Sequence, residues 1–551
     1  RDASGDLIVA QHPGAPHPPD LGLAGGHTEG ALTIYPASYG NMLVWERHLA
    51  PVRRLMAVNG AGYPSGFGAG NRMVVATGDA SHLADLTTMA GWDGIQAAWQ
   101  RSTVPFWYIQ QSIVRELIPE GVDPADYPGI GHTGGYGPRE LLRAGLFAFA
   151  SLGGYAASGA AIGADADHAI VVGHDEESLQ SSIAFNKLAM TEARDYTKYT
   201  VDTSHLFGFP TTLTPADERR VREAFRGRSF SIANILHNQP SLHFEFPSDE
   251  ALRLARKYWR ACAVHCELYK HAKAICAGQP FDYELSLDET PEVTPPRDLL
   301  LYLVLLQDVM GLPPRAVASA GPNIGFTKRH DFEGDLQRDL WPQVNACASV
   351  LQHFGAMLSV HSADGVRAAT GKGVGVDSVL ASATGGRAEL KVADVYQEVL
   401  WQVLADSTVP AEREVFVEAW RRTYEAARHL QALYEGELAA LDITQARRLL
   451  ASVAGRERLR ARYGQDALTL AQGVIGYGLP VFRLAANMVP ETDPARPAAD
   501  NELFRRFMFL VYRGLRPALF QAMTPDGWGR LRSTIEEATM IRLRAMGWAQ
   551  V

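Results

Sequence analysis

The sequence predicts an α/β protein whose body is a TIM-type (βα)8 barrel, with an N-terminal β-rich extension and a C-terminal helical region. Three observations lead there. Between about 101 and 405, short apolar strands alternate with amphipathic helices, the pattern of βα units on a parallel sheet. The nearest approach to a phosphate loop, His132-Thr133-Gly134-Gly135-Tyr136-Gly137, matches neither the dinucleotide fingerprint nor a P-loop and reads as a turn-rich loop, which argues against an open nucleotide-binding sheet. Ionisable residues recur at the ends of several different strands, where a barrel gathers its active site.

Residues 1–100 carry many Gly, Pro and Ala (12–19, 60–70) around short apolar pieces such as 32–35 and 73–77, which predicts a small β-rich layer. Residues 101–405 form the predicted catalytic barrel. There the segment 155–164 is small and apolar and runs into Asp165-Ala166-Asp167-His168. A helix over 176–194 precedes Tyr199-Thr200-Val201-Asp202-Thr203-Ser204, and a long helix over 249–277 leads to Phe281-Asp282-Tyr283-Glu284-Leu285-Ser286-Leu287-Asp288-Glu289-Thr290. The helix 296–310 opens on Pro296 and closes at Gly311, as start and stop rules expect. A strand over 316–326 follows, then a helix over 334–354, the strand 357–362, and a last unit in which 388–392 leads into the helix 395–405. From 406 to 551 helical spacing dominates, in 410–435, 444–453, 456–471 and 501–515. The charge runs there read as solvated faces, and the region as packing helices or an oligomer surface.

A formal charge of -9 on 551 residues, with the acidic residues spread along the chain, gives neither a nucleic-acid footprint nor an acidic tail, so a small-molecule substrate is expected. The longest apolar runs, such as 299–306, fall far short of the roughly 20 residues of a membrane span. No basic stretch followed by an apolar one opens the sequence, so no export signal is visible. Three of the four cysteines, Cys262, Cys266 and Cys276, lie in or near one predicted helix without a second pair at zinc-finger spacing. They read as buried thiols of a cytoplasmic protein.

Strand alternation sharpens the candidates, because side chains two apart share a face. It turns Glu284, Ser286 and Asp288 toward the barrel interior, with Leu285 and Leu287 toward the helices. The same phase puts Ser359 and His361 inside on one strand, and Glu389 and Lys391 inside on another. Unpaired buried charge is too costly to keep, so these groups are expected to pair with one another or to bind a metal. Each has a plainer reading: His361 as a hydrogen-bonded structural histidine, Glu389 and Lys391 as an ion pair, Asp167-His168 as a surface loop.

Four short motifs, in order, resemble the tagaturonate (hexuronate) epimerase family over roughly 160–405. Glu284-Leu285-Ser286-Leu287-Asp288-Glu289-Thr290 with its Thr294-Pro295 turn is similar to the family's Glu-x-Ser-x-Asp-Glu-Thr strand. Ala320-Gly321-Pro322-Asn323-Ile324-Gly325-Phe326, followed by Lys328, Asp331-Phe332 and Gly334-Asp335-Leu336, is similar to its next strand. Leu358-Ser359-Val360-His361-Ser362 resembles its Ser-Ile-His-Ser strand, and 163–168 its Asp-His strand end. Two segments depart from the pattern. Ala363-Asp364-Gly365 stands in place of Gly-Ser-Asp-Lys, and Glu389 stands where a ligand His is expected, which favours a harder metal.

The resemblance implies an isomerase that interconverts tagaturonate and fructuronate, which differ at a carbon β to the ketone. That carbon's hydrogen is not acidified by the carbonyl, so retro-aldol cleavage and re-addition is the expected route, with one divalent metal (Zn, Mn, Ni, Co or Mg) and a base. It assigns His168, His361 and Glu389 to the metal, Asp167 to the base and Glu284 to the acid. Lys328 and Lys391 are then expected to bind the sugar carboxylate, with Asp202 and Asn323 on hydroxyls, and Glu289 and His330 in reserve. A metal-dependent aldolase or aldose–ketose isomerase is the alternative within enzymes. A non-catalytic carbohydrate-binding barrel, acting as an oligomeric scaffold, is the alternative outside them.

Overall fold

A computed structural model of the chain describes residues 7–10, 23–29, 32–35, 41, 66–70, 86–104, 106–113, 138–139, 142, 161–288, 290–325, 332–361, 363, 375–392, 395–474, 511 and 515–549. Near the N-terminus, β1 (Leu7–Ala10), β2 (His27–Glu29) and β3 (Leu32–Tyr35) form a small antiparallel sheet in the order β1-β3-β2. Eight parallel strands then close into a barrel: β4 (Gly66–Gly70), β5 (Phe106–Ser112), β6 (Ala161–Ile170), β7 (Lys198–Asp202), β10 (Asp282–Leu287), β11 (Ser319–Pro322), β12 (Met357–Val360) and β13 (Ala388–Val392). The two strands skipped in that count, β8 (Ser229–Ile232) and β9 (Leu242–Glu245), pair antiparallel as a hairpin outside the barrel.

The barrel draws its first strand and first helix, α1 (Leu86–Gln100), from the span 1–100 that the sequence assigns to a β-rich extension. The reason is compositional. In Gly66-Phe67-Gly68-Ala69-Gly70 one face of the strand carries no side chains, so it shows no apolar alternation to read. Predicted pieces at 73–77 and 501–515 lie outside the described residues, apart from 511 and 515.

The connecting helices follow local rules. The helix α2 (Glu176–Glu192), between β6 and β7, starts at a capping box of Asp175 and Ser178. After β7 come α3 (Pro215–Phe225), whose Thr214 and Asp217 form a second capping box, the hairpin, and the long α4 (Ser248–Ile275). The helix α5 (Pro296–Val304) opens on proline, and α6 (Trp341–His353), α7 (Val376–Thr384) and α8 (Val395–Ala405) complete the later units.

The C-terminal region is helical as expected, and part of it belongs to the barrel wall. The helix α9 (Pro410–Leu433) leads to α10 (Ile443–Ala451), α11 (Val453–Tyr463) and α12 (Gln465–Val474). The sequence reads one helix over 456–471; the structure breaks it at Gly464, whose φ of 86° lies in the left-handed region. Half of α9 and these three helices bury a second apolar cluster around Leu430, Leu459 and Leu470. After α13 (Arg516–Ala522), α14 (Pro525–Ala545) returns to pack on α1 and α8. Arg532 Nε donates to Asp93 Oδ2 at 2.7 Å and Arg101 Nη1 to Glu536 Oε1 at 2.7 Å.

Apolar burial lies between the sheet and these helices. Tyr199, Val201, Tyr283, Leu285, Leu358, Val360 and Leu390 make up the outward phase of the strands and are buried. One polar knot crosses this layer. His265 of α4 is fully buried, with Nδ1 3.0 Å from the Tyr283 hydroxyl and Nε2 2.9 Å from Thr203 Oγ1, which lies 3.1 Å from the Tyr302 hydroxyl.

Burial holds the His265 imidazole neutral, with its pKa lowered to about 3 from the ordinary 6.5. As pH falls the unfolded chain takes this proton first, so stability drops from about pH 6.5 down to about pH 3. Between pH 7 and pH 5 the wild-type chain is expected to lose about 2 kcal/mol more than His265→Gln, at about 1.4 kcal/mol per pH unit below 6.5, in urea unfolding followed by circular dichroism. Equal losses in the two chains would remove His265 as the source.

Candidate active site

The inward phase of the barrel strands is charged. β7 presents Lys198, Thr200 and Asp202, β10 presents Asp282, Glu284 and Ser286, and β13 presents Glu389 and Lys391, all of them buried. Ser359 and His361 face inward at the end of β12, and Asp165 and Asp167 on β6. The alternation expected for Glu284, Ser286, Ser359, His361, Glu389 and Lys391 is the one observed.

Glu284 is the hub of this interior. Lys198 Nζ lies 2.5 Å from Glu284 Oε2 and 2.5 Å from Glu389 Oε1, over the ring of Tyr108 at 4.5 Å. Lys391 Nζ reaches Glu284 Oε1 at 2.8 Å, Asp165 Oδ2 at 2.7 Å, Asp167 Oδ1 at 3.3 Å and Thr200 Oγ1 at 2.8 Å. Ser319 Oγ donates to Glu284 Oε2 at 2.5 Å, and His361 Nε2 donates to Glu284 Oε1. Burial opposes ionisation of Glu284, yet Lys198, Lys391 and His361 hold its carboxyl well below the usual range. Glu389 shows the opposite balance: burial, with Glu284 nearby, outweighs Lys198 and raises it.

Above this layer, at the C-terminal mouth, the site is made by an irregularity. Alternation would turn Asp167 inward and His168 outward. The β6–β7 register shifts between Ala166 and Ala169, and His168 adopts φ 59°, a left-handed conformation that costs a non-glycine residue energy. The result brings the ring of His168 to 5.5 Å from that of His361, with His168 Nε2 3.7 Å from Asp167 Oδ1. Gln110 of β5 donates Nε2 to Asp167 Oδ2 at 2.8 Å. Burial disfavours charge on Asp167, but His168, Lys391 and His361 hold its carboxyl far below the usual range.

His361 is gripped at both nitrogens. Its Nδ1 lies 3.3 Å from Asp288 Oδ1, while Nε2 meets Glu284. Burial favours the neutral ring, but Asp288 and Glu284 raise its pKa to about 10. Ser286 Oγ lies 2.7 Å from Asp288 Oδ1 and 3.1 Å from Asp202 Oδ2, tying the mouth to β7. Gly321 of β11 completes the cradle, because a Cβ there would sit 2.8 Å from His361 Nε2.

The structure thus brings Asp167, His168, Glu284, Lys391 and His361 together. Glu389 lies deeper, on Lys198. Asp202 accepts the Ser204 amide at 2.7 Å as well as the Ser286 hydroxyl. Asn323 donates Nδ2 to Thr290 O at 2.8 Å and accepts the Gly325 amide at 2.9 Å, which pins the loop after β10. Lys328, His330 and Glu289 lie outside the described residues. Sequence reasoning missed Lys198, Asp165, Gln110 and Tyr108. The first two carry the same period-2 signal as Glu284 and Ser286, in Lys198-Tyr199-Thr200-Val201-Asp202 and Asp165-Ala166-Asp167.

Among the described residues no three His, Cys, Asp or Glu side chains already form a coordination cage. The donor chemistry nevertheless suits a divalent cation, with two imidazoles beside the carboxylates of Asp167 and Asp288 at one mouth. Six buried acidic groups (Asp165, Asp167, Asp202, Asp282, Glu284 and Glu389) face two buried lysines, Lys198 and Lys391, and the His361 imidazole, an excess of acidic groups that a cation would offset.

The family model for tagaturonate epimerase matches residues 141–366, a span that holds Asp167, His168, Glu284 and His361. No curated protein matches the chain in sequence. Two solved structures of a fructuronate–tagaturonate epimerase from Cohnella laeviribosi are similar in fold. The form with two glycerols is 19% identical, with a TM-score of 0.55 and coverage of 98% of this chain and 92% of that one. The native form is also 19% identical, with a TM-score of 0.53 and coverage of 98% and 91%. The resemblance carried by the four motifs is borne out over residues 141–366, and the chain is an enzyme of the isomerase class, an epimerase.

Two substitutions probe the geometry. Gly321→Ala, which drives a methyl into the His361 ring, is expected to lower turnover at least about tenfold with the circular dichroism spectrum unchanged, since a misplacement of about 1 Å can cost 100-fold. Lys198→Met leaves Glu284 and Glu389 with one cation fewer and is expected to cost about 3–5 kcal/mol, seen as a lower Tm.

Proposed function

We propose that the chain interconverts tagaturonate and fructuronate by inverting the carbon β to the ketone, with one divalent cation (Zn, Mn, Ni, Co or Mg) held at the mouth by His168 and by His361, whose ring would give up a proton on binding it. The observation that carries this reading is the convergence of His168, His361, Asp167 and Asp288 at the C-terminal mouth, where barrel enzymes do their chemistry, inside the span matched by the epimerase family. Bound there, the cation would supply Lewis acidity toward the ketone side of the sugar.

The chain's own residues divide the remaining work. Asp167 takes the proton of the hydroxyl on the inverted carbon, and the bond between the α and β carbons breaks, its electrons going to the ketone fragment. The aldehyde fragment turns, the bond re-forms on its other face, and Asp167 returns the proton. Glu284, with Lys198, Lys391, Ser319 and His361 all donating to it, is suited to orient His361 and Lys391 and not to release a proton. The acid expected of it from the motif is therefore reassigned to that orienting role. Asp288, 3.3 Å from His361 Nδ1, takes over from Glu389 as the carboxylate that would join the histidines, Glu389 being engaged with Lys198. Lys391 already has Asp165, Asp167, Glu284 and Thr200 around it, which leaves Lys328 as the cation for the sugar carboxylate.

Elemental analysis of the purified protein, with sugar-acid products followed before and after chelation, tests this reading. One divalent ion per chain, interconversion that chelation abolishes, and loss of the ion in His361→Ala are expected. Release of two smaller fragments would establish an aldolase instead. A metal-free protein without turnover would overturn the proposal in favour of a carbohydrate-binding barrel.

A further inference from the structure

Gln110 has no counterpart among the roles assigned from the sequence. It lies near the C-terminal end of β5, 4% exposed, and donates Nε2 to Asp167 Oδ2 at 2.8 Å. An ionised carboxylate only accepts, so the amide's orientation is forced, with nitrogen toward Asp167 and oxygen away. That oxygen, Oε1, is shielded from solvent and has no hydrogen-bond partner among the described residues. Buried carbonyls are rarely left unpaired, and one at an active site points to a donor that arrives with the substrate.

The neighbouring strand puts no side chain of its own beside Gln110. Gly70 of β4 is in register with Gln110, and Gly68 with both Tyr108 and Lys391. Residues paired in a parallel register share a face, so β4 sends no side chain into the interior beside Gln110.

We propose that Gln110 is a substrate-binding residue: its amide nitrogen positions Asp167, and its carbonyl oxygen accepts a hydrogen bond from a hydroxyl flanking the inverted carbon. This rests on the epimerase reading above. The two contacts act together, since the group that orients Asp167 toward one hydroxyl is then fixed by the next hydroxyl along the sugar chain. Gln110 thereby selects substrates with a hydroxyl at that position.

The test is a coupling cycle between residue and substrate. Wild type, Gln110→Met and Gln110→Glu are assayed on the parent sugar acid and on two analogues, each lacking one of the hydroxyls that flank the inverted carbon. In wild type, loss of the contacted hydroxyl is expected to lower kcat/KM about tenfold, and Gln110→Met to lower it at least as much on the parent sugar. In Gln110→Met the analogue penalty should vanish, because the acceptor is already gone. Gln110→Glu keeps an acceptor oxygen and loses the N–H, so its analogue penalty should persist while kcat falls. Gln110→Glu also carries the test should Gln110→Met fail to fold. Full analogue penalties in Gln110→Met, or unchanged kcat in Gln110→Glu, would overturn the assignment while leaving the epimerase reading intact. A wild type that interconverts neither sugar acid would overturn that reading first, and the inference with it.

Discussion

Glu284 holds the barrel interior together. A barrel of this size ordinarily fills its centre with branched apolar side chains; here a carboxylate takes that place and receives Lys198, Lys391, Ser319 and His361. Burying such a set is expensive, and an apolar core of the same volume would serve stability as well or better. The arrangement persists because Glu284 and its donors are paired with one another, so removing one of them leaves a buried charge short of a partner. It also delivers two things to the mouth of the barrel, a fixed His361 ring and a cation, Lys391, lodged between Glu284 and Asp167.

Everything at the mouth is set in relation to that hub. Gly321 clears the space beside the His361 ring, and Asp288 holds the nitrogen that Glu284 does not. Ser286 links Asp288 to Asp202, which ties the mouth ends of β7 and β10 together. Opposite them, a register shift and one left-handed residue swing His168 alongside Asp167. Strain kept at a single histidine, in a strand otherwise regular, is what a functional site looks like when the backbone has been bent to aim a side chain.

The outer ring explains how so polar an interior stays closed. The helix α14 comes from the far end of the chain to pack on α1 and α8, and Trp548 Nε1 donates to Gly386 O at 3.0 Å. Glu412 at the start of α9, fully buried, accepts the Thr524 amide at 2.9 Å and its hydroxyl at 2.6 Å. The C-terminal helices therefore complete the wall around the first βα unit, and a second apolar cluster supports them from outside.

Much of this was legible in the sequence. Alternation in Glu284-Leu285-Ser286-Leu287 and Glu389-Leu390-Lys391-Val392 placed the right side chains inside, because a period of two is a property of extended backbone wherever the strand lies. Applied to Lys198-Tyr199-Thr200-Val201-Asp202, the same rule would have found Lys198. The strand Gly66–Gly70 was not legible, since a glycine face carries no pattern. His168 obeyed no periodicity, because a bulge is set by neighbouring strands and not by the residue itself. Gln110, the deep position of Glu389 and the loop-pinning task of Asn323 depend on partners tens to hundreds of residues away. By itself the sequence determined the repeating units, the inward charges and the family resemblance, all of which rest on local spacing. Only the tertiary structure decided which charges meet, because closing the barrel sets distances between strands that no spacing along the chain encodes.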